Sequence, residues 1–243
     1  MELLSSARCA GLAAAALSAI LIAAATPALA ESASAGRTLF GDVEDRALSY
    51  VFQIDGERVG IAEGRILRTD PRTWRVEARY AIAVELLGVD VYQLELEATE
   101  TYRGARLVAL RTRGAENGTD LAMSGEAAED GFRYRHNGEP GLAAADIVPS
   151  TQLWRRDLLR RTRVLHAIEG EPFDRAAEAL GDRTFETEDG PETLSGYHIE
   201  TPYETAELWF DAEGLLQRAT LDRMGVTLEI RRTDAEGPAE RAR

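Results

Sequence analysis

Residues 74–98 alternate between apolar and polar almost without exception, and this period of two constrains the fold more than any other feature of the chain. Trp74, Val76, Ala78, Tyr80, Ile82, Val84 and Leu86 are separated by Arg75, Glu77, Arg79, Ala81, Ala83 and Glu85. After a turn near Leu87-Gly88, Tyr92, Leu94, Leu96 and Ala98 are separated by Gln93, Glu95 and Glu97. Successive side chains of a strand point to opposite faces, so the pattern describes two long strands with one face buried and the other in water. Strands of this length suit a curved sheet or open barrel better than a compact sandwich.

The same alternation recurs on both sides. Leu48, Tyr50, Phe52 and Ile54 lead into Asp55-Gly56 and a return strand over 59–68, which reads as a hairpin. Shorter strands are expected over 106–112, 119–124 and 132–136, punctuated by turns at Asn117-Gly118, Asp130-Gly131 and Asn137-Gly138. Further strands are expected over 164–168, 194–200, 208–210, 215–221 and 226–230, with a turn over 211–214. The Ala-rich stretch 173–180 fits a weak strand or a helical turn equally. One segment breaks the period: Pro149-Ser150-Thr151 supplies a helix start, and Leu153, Trp154, Leu158 and Leu159 form a narrow apolar stripe, so a helix is expected over 151–161. The expected fold is all-β with minor α, a curved antiparallel meander or half-barrel with one short helix near 151–161. It forms a single domain over 46–232, between a flexible linker at 31–45 and a disordered tail at 233–243.

The first thirty residues bear on location. Arg8 precedes an Ala/Leu/Ile run over 10–25, and Pro27 then leads to Ala28-Leu29-Ala30, the small-x-small pattern of signal-peptide cleavage. The run of about 16 residues is shorter than the roughly 20 needed to span a bilayer, so no membrane span is expected after cleavage near Ala30. The expected location is the periplasm or the exterior. Cys9 is the only cysteine, which leaves the mature chain with no disulfide, thiol nucleophile or thiolate metal site. A formal net charge of −14 argues against a phosphate backbone as partner, so nucleic acid is not expected.

Val148-Pro149-Ser150, Trp154, Leu158-Leu159, a Gly170 turn, Leu208-Trp209-Phe210-Asp211 and Gly214 carry a family resemblance. The chain resembles an uncharacterised family of exported proteobacterial proteins, a domain of unknown function spanning 48–232 here. The family's usual Trp-Tyr-Asp stands as Trp209-Phe210-Asp211, and the resemblance implies no activity. At the level of fold alone, the long meander with one helix is similar to the half-barrel of periplasmic lipoprotein carriers, which implies a pocket.

A curved sheet would gather Trp74, Tyr80, Ile82, Tyr92, Leu94 and Leu96 into one apolar surface beside Trp154, suited to a lipid or other apolar small molecule. The plainer alternative is a filled core closed by the helix, because any half-buried sheet alternates. Arg155, Arg156 and Arg160 concentrate positive charge around the expected helix and are candidates for contact with an anionic group, the alternative being a solvated face. His136, His166 and His198 lack metal-site spacing, and no serine sits in a nucleophile-elbow pattern. No catalytic residue, metal or cofactor is therefore nominated. The leading expectation is binding of a hydrophobic or amphipathic ligand. An envelope protein–protein interaction module is the alternative, and an enzyme ranks last.

Overall fold

The computed structural model describes residues 45–86, 89–151, 154–187, 190–223 and 225–233. The expected signal peptide at 1–30, most of the expected linker, the tail from 234, the Leu87-Gly88 turn and Leu153 lie outside the described residues. The strands are β1 (Arg46–Ile54), β2 (Glu57–Asp70), β3 (Thr73–Leu86), β4 (Val89–Arg103), β5 (Arg106–Glu116), β6 (Thr119–Ala128), β7 (Gly131–His136) and β8 (Glu139–Ala143). After an excursion holding β9 (Val148–Pro149), β10 (Arg163–Leu165) and β11 (Pro172–Asp174), the meander resumes. It continues as β12 (Ala176–Thr187), β13 (Gly190–Glu200), β14 (Thr205–Phe210), β15 (Leu216–Arg223) and β16 (Val226–Thr233).

Thirteen of these strands form one antiparallel sheet in the order β12-β13-β14-β15-β16-β1-β2-β3-β4-β5-β6-β7-β8. The last strand pairs with the first, Phe52 opposite Ile230, so the two halves of the chain are stitched at the middle of the sheet. The free edges are β8 and β12. The sheet is curved and does not close into a barrel, and register shifts at Phe52/Gln53, Thr101/Tyr102 and Ala179/Gly181 mark bulges that increase twist and bend. Tight hairpins follow from the turn pairs: Asp55-Gly56, Asn117-Gly118 and Asn137-Gly138 all take positive φ at both residues, the conformation that matches the right-handed twist of the strands.

The segment 144–175 connects β8 to β12, the two free edges, and packs on the concave face. Ile147, Val148, Trp154, Leu158, Leu159, Val164 and Leu165 from this plug are buried with Leu48, Tyr50, Trp74, Tyr102, Phe132 and Phe210 from the sheet. Within the plug, β9 pairs parallel to β10 and β10 antiparallel to β11. Backbone bonds then fasten it to the sheet: Leu216 N donates to the Trp154 carbonyl at 2.9 Å and Arg156 N to the Gly214 carbonyl at 3.0 Å.

Two sequence expectations change here. The helix over 151–161 shrinks to a 3-10 turn, Arg156–Arg160, because Trp154 and Arg155 are drawn into strand-like pairing with Leu215 and Leu216. The Thr151 hydroxyl, in the expected helix start, donates to Glu100 at 2.6 Å. The ambiguous 173–180 stretch is extended, ending β11 and opening β12, whose partner β13 decides a pattern that its own sequence leaves open.

Truncating the plug's aromatic anchor, Trp154→Ala, is expected to cost about 3–5 kcal/mol by removing a buried ring. Leu180→Ala, on the exposed edge strand, is expected to stay within about 0.5 kcal/mol of wild type. Urea unfolding of both variants checks the contrast.

Candidate functional site

The plug does not fill the concave face completely. A cavity of about 190 Å³ remains between it and strands β1, β3, β4, β15 and β16. Tyr50 and Phe52 from β1, Tyr80 and Ile82 from β3, and Tyr92, Leu94 and Leu96 from β4 supply one wall. Trp154, Ala167 and Ile168 from the plug, with Leu216, Leu221 and Ile230, supply the other.

On this face β2 contributes only small residues to the row that packs under the Trp154 ring. Gly60 stands opposite Phe52 and Ile82, Ala62 opposite Tyr50 and Tyr80, and Gly64 opposite Leu48 and Ala78. The Trp154 ring leans into that space, 4.7 Å from the Tyr50 ring and 5.7 Å from the Tyr80 ring. A Cβ on Gly64 would touch Trp154 at 3.8 Å. Tyr50 and Trp154 are buried at the inner end, while Tyr92 and Ile168 are half-buried at the other, which is the mouth.

The polar atoms of three wall aromatics are hydrogen-bonded to backbone carbonyls. Tyr50 Oη donates to the Leu216 carbonyl at 3.1 Å, and both Tyr80 Oη and Trp154 Nε1 donate to the Thr151 carbonyl, at 2.6 and 2.8 Å. Buried polar groups need partners, and these find them in backbone, leaving the enclosed surface apolar. Polar groups gather at one end, where Ser150, Thr151, His166 and Glu204 complete the lining. Ser150 Oγ accepts from Ala167 N at 2.9 Å. The His166 ring sits 4.4 Å from Tyr203, and its Nδ1 accepts from Glu169 N at 3.0 Å.

Behind Thr151 lies Glu100, a carboxylate with no solvent exposure. It accepts from Thr151 Oγ1 at 2.6 Å and from Tyr102 Oη at 2.8 Å. Burial, and next the Glu100 charge, push the phenol pKa values of Tyr80 and Tyr102 well up. Burial also raises Tyr50, with Arg232 opposing and Asp211 reinforcing.

Of the residues nominated from sequence, Tyr80, Ile82, Tyr92, Leu94, Leu96 and Trp154 meet around the cavity. Trp74 does not: it is fully buried nearer the start of β3, with the Arg68 guanidinium 5.5 Å above its ring. Arg155 is also misplaced for contact with an anionic group. It is 5 % exposed and held by the Asp157 carboxylate at 3.0 Å and the Glu213 carbonyl at 3.2 Å. Arg156 is half-buried and Arg160 exposed. Tyr50, Phe52, Ala167, Ile168, Leu221 and Ile230 were not nominated. The alternation of Tyr50 and Phe52 carried a signal, and the small residues of β2 carried another. Among the described residues, no group of three or more His, Cys, Asp and Glu side chains is placed to hold a metal ion. No described helix is long and apolar enough to cross a membrane.

A family model described as "Domain of unknown function (DUF6134)" matches residues 50–233, from Tyr50 in β1 to the end of β16. The chain belongs to this family. No curated protein matches it. Among solved structures, a beta-barrel-like protein of domain of unknown function DUF1849 from Brucella abortus is similar at a TM-score of 0.57 and 9% identity. The match covers 79% of this chain and 100% of that one, and at that identity the likeness is one of fold.

In this DUF6134 member, Ser150 and Trp154, among the residues that carry the resemblance, fasten the plug. Ser150 N donates to the Leu165 carbonyl, and Trp154 docks on Tyr50 and Tyr80. Asp211 braces the turn before β15 by accepting from Leu215 N, Gln217 Nε2 and Arg232. Trp209 packs on the outer face against Phe185, at 5.0 Å.

The tyrosine shifts fix a pH response. The folded state favours the neutral phenol at Tyr50, Tyr80 and Tyr102, so their contribution is complete below about pH 10 and is lost as pH rises from there toward the folded-state values. When all three ionise only in the unfolded chain, stability falls by up to about 4 kcal/mol per pH unit in that window. Urea midpoints measured across it, with phenolate absorbance, are expected to show these tyrosines titrating only on unfolding.

Proposed function

We propose that this DUF6134 protein is exported and binds the apolar part of a hydrophobic or amphipathic ligand in the concavity of its sheet. The observation that carries the reading is the apolar cavity of about 190 Å³, walled by aromatic rings whose polar atoms are bonded elsewhere. Apolar walls with a few polar groups at one end are the usual composition of small-molecule sites. The export half of the proposal rests on the Arg8, 10–25 and Ala28-Leu29-Ala30 pattern.

Size narrows the ligand. A cavity of about 150 Å³ lined by aliphatic and aromatic side chains holds benzene, so the space here takes one ring or a short alkyl segment. Two acyl chains of a phospholipid do not fit without movement of the plug. A polar end of the ligand would lie near Ser150, His166 and Glu204.

Protein purified from its own host without detergent, then extracted and analysed by mass spectrometry, is expected to release close to one equivalent of an apolar small molecule. Ile82→Trp, which inserts bulk into the cavity wall at an expected cost of about 1–3 kcal/mol, is expected to remain folded and to release none. Repeated recovery of empty wild-type protein, together with unchanged binding of an added apolar dye by Ile82→Trp, would contradict the reading.

A further inference from the structure

On the face of the sheet opposite the cavity, strands β3 to β8 form a groove with about 1010 Å³ of open space. It is hollow because its floor is made of small side chains, Thr99 and Thr101 on β4, Ala109 on β5 and Ser124 on β6, between long arginines on β3 and β7. Its charge runs against that of the molecule. Four arginines line it, Arg75, Arg111, Arg133 and Arg135, against the single carboxylate Glu126, in a chain of formal net charge −14.

Two of the four are committed elsewhere, Arg75 to Glu77 at 2.9 Å and Arg133 to Asp130 at 2.8 Å. Arg111 and Arg135 make no ion pair among the described residues. Arg135 has only a hydrogen bond from Nη1 to the Gly138 carbonyl. The register places them on either side of one hydroxyl: Arg111 is directly opposite Ser124, and Ser124 directly opposite Arg135. With neighbouring strands about 4.8 Å apart, the two Cα atoms stand roughly 9.6 Å apart on one face. Arginine side chains are long enough for both guanidinium groups to reach one ligand held over Ser124. Thr99, opposite Arg111 on the other side, extends the row by another hydroxyl.

We propose that this groove is a binding site for a small soluble polyanion bearing phosphate oxygens, gripped by Arg111 and Arg135 with Ser124 between them. Planar guanidinium forks match phosphate oxygens in pairs, and such charge-assisted bonds are the stronger kind. A soluble anion suits the site better than an anionic bilayer, because the groove is recessed and the molecule's overall negative charge opposes approach to a like-charged surface. The site is separate from the apolar cavity and does not depend on it.

Calorimetric titration of the purified protein with sodium pyrophosphate at low ionic strength tests the proposal. One equivalent is expected to bind, and Arg111→Gln/Arg135→Gln is expected to weaken binding at least about tenfold, the effect of roughly 1.4 kcal/mol. A control carrying Arg58→Gln/Arg65→Gln, with the same charge change elsewhere on the surface, is expected to stay within about twofold. Absence of binding by wild type up to about 1 mM, or equal binding by the Arg111/Arg135 variant, would overturn the proposal. So would binding to phosphatidylglycerol vesicles without binding to pyrophosphate, which would assign the groove to a membrane surface.

Discussion

A thirteen-stranded antiparallel sheet with one apolar face has to cover that face, and the rest of this structure depends on how segment 144–175 does so. The sheet is too wide to fold flat against itself and leaves both β8 and β12 as free edges. Closure as a barrel would bury the face by wrapping, whereas this chain buries it by filling. Trp154 is the central contact, since it packs on Tyr50 and Tyr80 and bonds through its backbone to β15. The sheet row is small at Gly60, Ala62 and Gly64, which admits the Trp154 ring, and the irregular plug still leaves a cavity beside it among Tyr80, Leu94 and Ile168.

Polar groups set where the plug sits. Glu100 is buried in the sheet and takes hydrogen bonds from Thr151 of the plug and from Tyr102. Removing one partner of such a group leaves the other uncompensated, so the plug cannot slide along the concave face without exposing a large penalty. Arg175 fixes the other end. It is buried, and it donates to the Leu158 and Arg161 carbonyls at 2.6 and 2.8 Å, where the 3-10 turn ends. Burial lowers its pKa to about 10, which still leaves it charged at neutral pH. Hydrophobic contact thus supplies the driving force for docking, and these few directed bonds choose its register.

What the sequence reveals and what it hides follow from the range of the interactions. The long strands are legible because alternation is a local property, and Tyr80, Ile82, Tyr92, Leu94 and Leu96 can be placed on one face from spacing alone. Trp74 shares that face and yet misses the cavity, because spacing does not say which part of a strand the plug covers. The expected helix is shortened to the 3-10 turn for a long-range reason: Trp154 and Arg155 pair with Leu215 and Leu216, some sixty residues away in sequence. The same pairing buries Arg155, which sequence alone had grouped with exposed Arg160. The contribution of β2 is hidden differently, since small residues in a strand signal weak packing until the ring that occupies their space is known. The groove arginines Arg111 and Arg135 are invisible as a pair until the register sets Ser124 between them.

The plug leaves an apolar space on the concave face. Diffraction from crystals equilibrated under xenon gas tests it most directly, because xenon enters apolar cavities of this size and displaces no ordered solvent there. Xenon density is expected among Tyr80, Leu94 and Trp154, in a space without ordered water. A chain of well-ordered waters in that space, or side chains from the plug filling it, would contradict the account.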